Sequence, residues 1–402
     1  MSKKTIAQTD VSGKRVLCRV DFNVPIEDGK ITDDRRIREA LPTLKSVLDR
    51  GGSLVLMSHL GRPEGKGYEA EFSLKPVAAR LGELLGKDVQ FPSTDCTDAA
   101  SAAAVTALKP GQVVLLENVR FAKGEKKGEP EYANKLAGYG HVYVNDAFGT
   151  AHRTDGSMYA VPKAMKANEK PCVAGLLLEK ELKYLDAALK NPARPFVVVL
   201  GGAKVSDKIG VIENLLGKAD QILIGGAMAY PFLKAQGRAI GLSKASDEDV
   251  AAAKNLLDMA GKAKCELFLP VDHVVSTKFG EDGERGVFDG AIKDGYMGLD
   301  IGPKTVELFT GVIAKAKTVV WNGPMGVFEW AFTSVGTKMV AKAMVDATKR
   351  GTTTIVGGGD SAAAAEQFGL ASGFSHVSTG GGASLEMLAG KPFATVELLD
   401  NA

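Results

Sequence analysis

The chain has 402 residues, long for a single hydrophobic core, so two domains are expected. Hydrophobic residues make up 45%, charged residues 24%, and the formal net charge is +2, a balance that argues against wholesale binding of nucleic acid or a membrane surface. Cys18, Cys96, Cys172 and Cys265 are scattered without a CxxC pair, which excludes a zinc ribbon or disulfide framework and fits a reducing compartment. No apolar run approaches the roughly 18 residues needed to span a bilayer. The opening MSKKTIAQTD lacks the apolar centre of a signal peptide, so a cytoplasmic protein is expected.

The first half alternates short apolar runs with helical patterns. Strands are expected at 15–20, 53–57, 112–116 and 142–144, and helices at 33–50 and 74–85, where apolar residues recur at steps of three and four. Such alternation reads as an α/β domain with a mainly parallel sheet. The residues just past each strand carry the chemistry. Asp21 and Asn23 follow the first strand, His59 and Arg62 the second, Arg120 the third and Arg153 the fourth. Arg36 opens the first helix. The carboxyl edge of an open α/β sheet is where ligands bind. Any one of these arginines reads equally as a solvated surface charge. Four of them with a histidine at equivalent places point to one site for a small anion.

Residues 168–175 read as a loop. Residues 176–190 read as an amphipathic helix, ended by Asn191-Pro192, that connects two domains, although a helix belonging wholly to the second domain has the same outline.

In the second half, glycines stand at the strand ends. FVVVLGGAKVSDKIGVI, 196–212, runs from strand through Gly201-Gly202 to Lys204, Lys208 and a helix start. Bare backbone, open N–H groups and lysines suit a phosphate, although an ordinary strand-to-helix turn has the same outline. Further strands are expected at 221–224, 266–270, 318–321 and 352–356, with helices at 362–367 and 383–388. Asn322-Gly323 and Gly357-Gly358-Gly359-Asp360-Ser361 follow two of these strands, and Gly380-Gly381-Gly382 precedes the final helix. Asp360 suits either a helix cap or a Mg²⁺ ligand. Glu329 suits either ribose hydroxyls or water. A dinucleotide fingerprint GxGxxG, a Walker A loop and a GxSxG elbow are all missing from these loops.

Several longer motifs give the chain a close resemblance to the phosphoglycerate kinase family. They are RVDFNVP at 19–25, SHLGRP at 58–63, ENVRF at 117–121, NDAFGTAHR at 145–153, GGAKVSDKI at 201–209, WNGPMGVFE at 321–329, GGGDS at 357–361 and STGGGAS at 378–384. The resemblance implies two doubly wound, Rossmann-like parallel-sheet domains facing a central cleft. Residues 1–175 would form the substrate domain, with 390–402 packing back on it. Residues 176–190 would form the interdomain helix and 191–389 the nucleotide domain. Asp21, Asn23, Arg36, His59, Arg62, Arg120 and Arg153 would hold 3-phosphoglycerate or 1,3-bisphosphoglycerate. Gly202, Lys208, Gly298, Asn322, Glu329, Gly358, Gly359, Asp360 and Ser361 would hold ADP or ATP, with Asp360 towards Mg²⁺. Arg36 and Lys204 would be the catalytic pair, acting from opposite domains as the domains close. TDGS after Arg153 departs from many relatives, which carry a second histidine there. A kinase acting on another small acid, and a non-catalytic binding protein, are the competing readings. A monomer is expected, since no long heptad pattern is seen.

Overall fold

The computed structural model describes residues 2–402. The chain forms two compact units, one made of Met1–Leu182 with Pro392–Ala402 and the other of Lys183–Lys391.

The first unit is built on strands β1 (Arg15–Val20), β4 (Ser53–Met57), β5 (Val89–Gln90), β6 (Val113–Leu115), β7 (Val142–Asp146) and β8 (Cys172–Ala174), with a small hairpin of β2 (Ile26–Glu27) and β3 (Lys30–Ile31) beside them. The large sheet has the order β5-β6-β4-β1-β7-β8, and all of its pairings are parallel. Parallel strands covered on both faces need apolar side chains on both. Accordingly β4 is buried at every position, and β1 at every position after Arg15. Helix Arg35–Leu48 lays Ile37, Leu44 and Val47 on the core that contains Val16, Cys18, Leu54 and Leu56. From β1 the chain moves out through β4 towards β5, then returns to the other flank of β1 for β7 and β8. That reversal opens a crevice at the carboxyl ends of β1 and its neighbours.

Residues 172–174, expected within a loop, form β8 instead. They pair in parallel with Tyr143–Asn145 of β7. A strand of three small or medium residues between Pro171 and Gly175 leaves too short an alternation to be read from sequence. The segment Pro392–Ala402 returns to the same region: Asp400 N–H donates to the Cys172 carbonyl at 2.8 Å, and Lys4 N–H to the Asp400 carbonyl at 2.8 Å.

The second unit repeats the plan. Its sheet comprises β9 (Phe196–Leu200), β10 (Gln221–Ile224), β11 (Glu266–Phe268), β15 (Thr318–Asn322), β16 (Thr353–Gly357) and β17 (His376–Val377), in the order β11-β10-β9-β15-β16-β17. All of its pairings are parallel. The reversal here falls between β9 and β15, and this places Gly201 beside Asn322. The core joins Val197, Val199, Val319, Trp321 and Val356 to helices Pro303–Lys315 and Val335–Lys349.

A feature absent from the sequence reading is a three-stranded antiparallel sheet of β12 (Asp272–Ser276), β13 (Arg285–Asp289) and β14 (Met297–Ile301), in the order β13-β12-β14. Helix Gly359–Gln367 begins three residues earlier than expected, with Gly358 as its N-cap at φ +92°. Asp360 therefore lies in the first helical turn, and the helix has no side-chain cap. The capping reading of Asp360 is thereby corrected.

Candidate active site

In the first unit Asp21, Asn23, Arg36, Arg120 and Arg153, all singled out from sequence, form one connected chain of contacts through Gly61 and Asp155. Arg36 opens helix Arg35–Leu48, and its Nη1 donates to the Asn23 carbonyl at 2.9 Å and lies 3.4 Å from Asp21 Oδ1. Asn23 Oδ1 accepts the Gly61 N–H at 2.8 Å. The Gly61 carbonyl accepts from Arg120 Nη1 at 2.9 Å. Asp155 then lies between Arg120 Nη2, at 3.6 Å, and Arg153 Nε, at 3.0 Å. Arg62 is exposed beside Gly61.

Charge in this cluster is unbalanced. Among the described residues, Arg36, Arg62, Arg120 and Arg153 form ion pairs only with Asp21 and Asp155. Burial pushes the Asp21 carboxyl up, but Arg36, His59 and Arg19 together hold it below the ordinary range. Burial lowers His59 well below its usual value; Asp21 opposes this, while Arg19, Arg120 and Arg36 add to it. His59 is therefore neutral at neutral pH. Burial also depresses Arg120, and Arg153 beside it adds to the effect. Arg120 Nε and Nη2 are buried without a hydrogen-bond partner. A buried donor left unpaired costs about 1–3 kcal/mol, which an anion here would recover.

Three residues of this region were missed from sequence. Asp155 joins Arg120 to Arg153. Arg19, inside β1, and Glu125 are both fully buried. An arginine inside the apolar run RVLCRV was the available signal for Arg19. Asp155 and Glu125 look like ordinary surface carboxylates until the fold encloses them.

In the second unit the loops after β9 and β15 interlock through backbone. Gly201 N–H donates to the Asn322 carbonyl at 3.0 Å, and Gly202 N–H to the Pro324 carbonyl at 3.0 Å. A Cβ on Gly201 would lie 2.0 Å from the Pro324 carbonyl oxygen, so only glycine fits. Lys208 is buried beneath these loops. Its Nζ donates to the Gly201 carbonyl at 2.6 Å, the Asn322 carbonyl at 2.9 Å and Asn322 Oδ1 at 2.7 Å. Burial pulls its ammonium down to about 8 against the opposing pull of Asp360 and Asp207. In this state Lys208 binds the loops together. Lys204, four residues earlier, is exposed. The segment between them is tethered by Asp249, whose Oδ1 accepts the Ser206 N–H at 3.1 Å.

Ser361 likewise turns inward, and its Oγ accepts the Gly323 N–H at 2.6 Å. Asn322 Nδ2 is buried without a hydrogen-bond partner, next to Gly358. Gly359 and Asp360 are exposed at the start of an uncapped helix, where the first-turn N–H groups favour an anion. Glu329 is exposed beyond β15. Gly298 lies in β14, donates its N–H to Ser243 Oγ at 2.9 Å and leaves room for the Tyr230 hydroxyl, which a Cβ would meet at 1.8 Å.

The arginine cluster suits a compact phosphorylated acid, and the glycine loops suit a chain of phosphates. The phosphoglycerate kinase family model matches residues 6–391. A phosphoglycerate kinase of Chloroflexus aurantiacus is 54% identical over 405 residues, covering 100% of both chains. The cytosolic phosphoglycerate kinase of Crithidia fasciculata is 53% identical over 417 residues, covering 99% of this chain and 98% of its own. Among solved structures, a phosphoglycerate kinase from Coxiella burnetii superimposes with a TM-score of 0.88 at 40% identity, covering 98% of each chain. Another, from Pyrococcus horikoshii OT3, gives 0.80 at 33% identity, over 99% of this chain and 98% of the other.

Proposed function

The chain belongs to the phosphoglycerate kinase family, and from that membership we propose how its two units divide the work. The reaction is the reversible transfer of a phosphoryl group between 1,3-bisphosphoglycerate and ADP, giving 3-phosphoglycerate and ATP in glycolysis. The first unit holds the glycerate through Asp21, Asn23, Arg36, His59, Arg62, Arg120 and Arg153. The second holds the nucleotide through Gly202, Gly298, Asn322, Glu329, the residues 358–361 and the loops that Lys208 binds together. The observation that carries this reading is Arg120, with two buried guanidinium nitrogens lacking a hydrogen-bond partner beside Arg153.

In the ATP-consuming direction the nucleophile is a carboxylate, already ionised at neutral pH, so no general base is required. Position and charge do the catalysis. Arg36 and the exposed Lys204 are the cations assigned to the moving phosphoryl group, whose charge spreads over three equatorial oxygens. Mg²⁺ fits Asp360: one exposed carboxylate at an uncapped helix start is a donor set that the phosphates of a bound nucleotide complete. When bound, the ion would neutralise phosphate charge. In-line attack requires donor and acceptor about 3–3.5 Å apart. With one ligand in each unit, turnover requires the units to approach and exclude water.

Relatives of similar identity are named cytosolic and glycosomal. Cytoplasmic residence is supported by cysteine usage, since all four thiols are free and buried. Among the described residues no helix is long and apolar enough to cross a membrane. The enzyme is read as a monomer, both ligand sites being assigned to residues of one chain.

The test is an assay with ATP and 3-phosphoglycerate, with and without Mg²⁺. Activity should require all three. Arg120→Met should raise KM for 3-phosphoglycerate at least about tenfold and leave KM for ATP within about threefold. Equal changes in both constants would overturn the division of labour.

A further inference from the structure

Beneath the glycerate site runs a buried line of polar groups that the mechanism above does not use. Glu125 accepts the Ser157 N–H at 2.8 Å and the Ser157 hydroxyl at 2.6 Å. The same hydroxyl oxygen accepts from Arg19 Nε at 2.9 Å. Arg19 Nη1 donates to the Val20 carbonyl. Arg19 Nη2 lies 3.2 Å from His59 Nδ1. Arg19, Ser157 and Glu125 are each fully buried.

A guanidinium has five N–H donors, no acceptor, and does not deprotonate in a protein. The contact at 3.2 Å therefore forms only if His59 Nδ1 is the acceptor. In the neutral ring the proton then sits on Nε2. A protonated ring would turn an N–H against an N–H. Asp21 pulls the other way, since its Oδ1 would accept from Nδ1–H, but it stands 3.8 Å off. That separation is outside hydrogen-bond range, and the 3.2 Å contact prevails. His59 Nε2 has no hydrogen-bond partner among the described residues. Burial and the charges of Arg19, Arg120 and Arg36 all disfavour imidazolium, with Asp21 alone opposing them.

We propose that Arg19 is a positioning residue for the glycerate site, holding His59 as the neutral Nε2–H tautomer so that the ring serves as a hydrogen-bond donor and not as a cation. Glu125 and Ser157 hold Arg19 in place. The assignment of His59 to the glycerate rests on the function proposed above; the tautomer does not, because it is fixed in the protein without ligand.

The experiment is ¹⁵N–¹H long-range correlation spectroscopy of the imidazole signals in the full chain, free of ligand, between pH 6 and 8. The His59 signals, assigned by loss in His59→Gln, should show the Nε2–H pattern throughout and no titration. An Nδ1–H pattern, or titration within that range, overturns the proposal. Arg19→Met should allow the Nδ1–H form and bring titration into the range, because Asp21 is then the nearest charge. Its KM for 3-phosphoglycerate should rise about tenfold and acquire a dependence on pH that the unsubstituted enzyme lacks. If Arg19→Met does not fold because Glu125 is left unpaired, Arg19→Met with Glu125→Gln removes both charges and is read the same way. An unchanged tautomer in a folded variant counts against Arg19. Adding 3-phosphoglycerate to the unsubstituted protein separates the two readings: a fixed tautomer whose Nε2 signal does not move leaves Arg19's hold on the tautomer standing but removes His59, and with it Arg19's positioning role, from the glycerate site.

Discussion

Ser361 Oγ accepts the Gly323 N–H at 2.6 Å. The contact ties the start of helix Gly359–Gln367 to the loop leaving β15, so two of the loops proposed to hold the nucleotide are joined through one side chain. Ser361→Ala leaves a buried N–H unpaired, at a cost of about 1–3 kcal/mol. The urea midpoint should fall accordingly, and KM for ATP should rise while KM for 3-phosphoglycerate stays fixed. A rise confined to the glycerate constant would show that the contact does not serve the nucleotide.

Lys204 is exposed and Lys208 is buried among three protein oxygens, so their losses should differ in kind. Lys204→Ala should lower kcat by about 10²–10³ with nucleotide affinity within about threefold, as for a group that acts on charge developing in the transition state. Lys208→Met should lower stability and nucleotide affinity together. Equal loss of kcat and affinity in Lys204→Ala would reduce Lys204 to a binding group.

Asp155 restrains two arginines that an anion would otherwise satisfy. Asp155→Asn should lower the melting temperature in phosphate-free buffer. 3-Phosphoglycerate should then stabilise the variant by a larger increment than it gives the unsubstituted protein, since ligand binding to the folded state adds stability by mass action. Identical increments, measured by calorimetry at matched ligand concentrations, would remove Asp155 from the site.

Asp146 introduces a pH dependence of unusual sign. Its carboxylate accepts the Leu177 and Leu178 N–H groups at 2.9 and 3.2 Å, and burial raises it to about 7. Below about pH 4 the group is protonated in both folded and unfolded chains. Between about 4 and 7 the folded chain keeps a proton that the unfolded chain releases, so stability falls as pH rises through that window. Asp300, buried and raised to about 8, adds a term of the same sign. Asp146→Asn keeps an acceptor for the helix start and should flatten part of the decline, by an amount of the order of a few kcal/mol. Urea unfolding followed by circular dichroism at pH 5, 6, 7 and 8 measures it; unchanged slopes would mean that Asp146 does not titrate in the window.

The strands at the proposed site were legible because the chemistry asked of them is local. Phosphate and carboxylate recognition needs arginine or bare glycine backbone at the strand ends, and those residues stand out at 21–23, 59–62, 201–202 and 357–361. Expected and observed bounds coincide for β1 and β4. The antiparallel sheet β13-β12-β14 was illegible for the opposite reason. β13 reads RGVFD, alternately exposed and half-buried, and such a strand is defined by its partners more than by its own apolar content. Arg19, Glu125 and Asp155 were passed over because a buried charge and a solvated one are spelt alike. Only the fold shows that Arg19 sits between Ser157, which follows it by 138 positions, and His59. Lys208 and Ser361 were singled out by their motifs, but their inward bonds could not be anticipated, since they depend on which loops the sheet order brings side by side.

The hydrogen bonds of Asp400 to Lys4 and Cys172 bear on the order in which the protein is made. The second unit is one uninterrupted stretch, Lys183–Lys391, and can close on itself as soon as it leaves the ribosome. The first unit is built from both ends of the chain, so the bonds of Asp400 to Lys4 and Cys172 form only once Pro392–Ala402 has been synthesised. During translation the part begun first is therefore completed second.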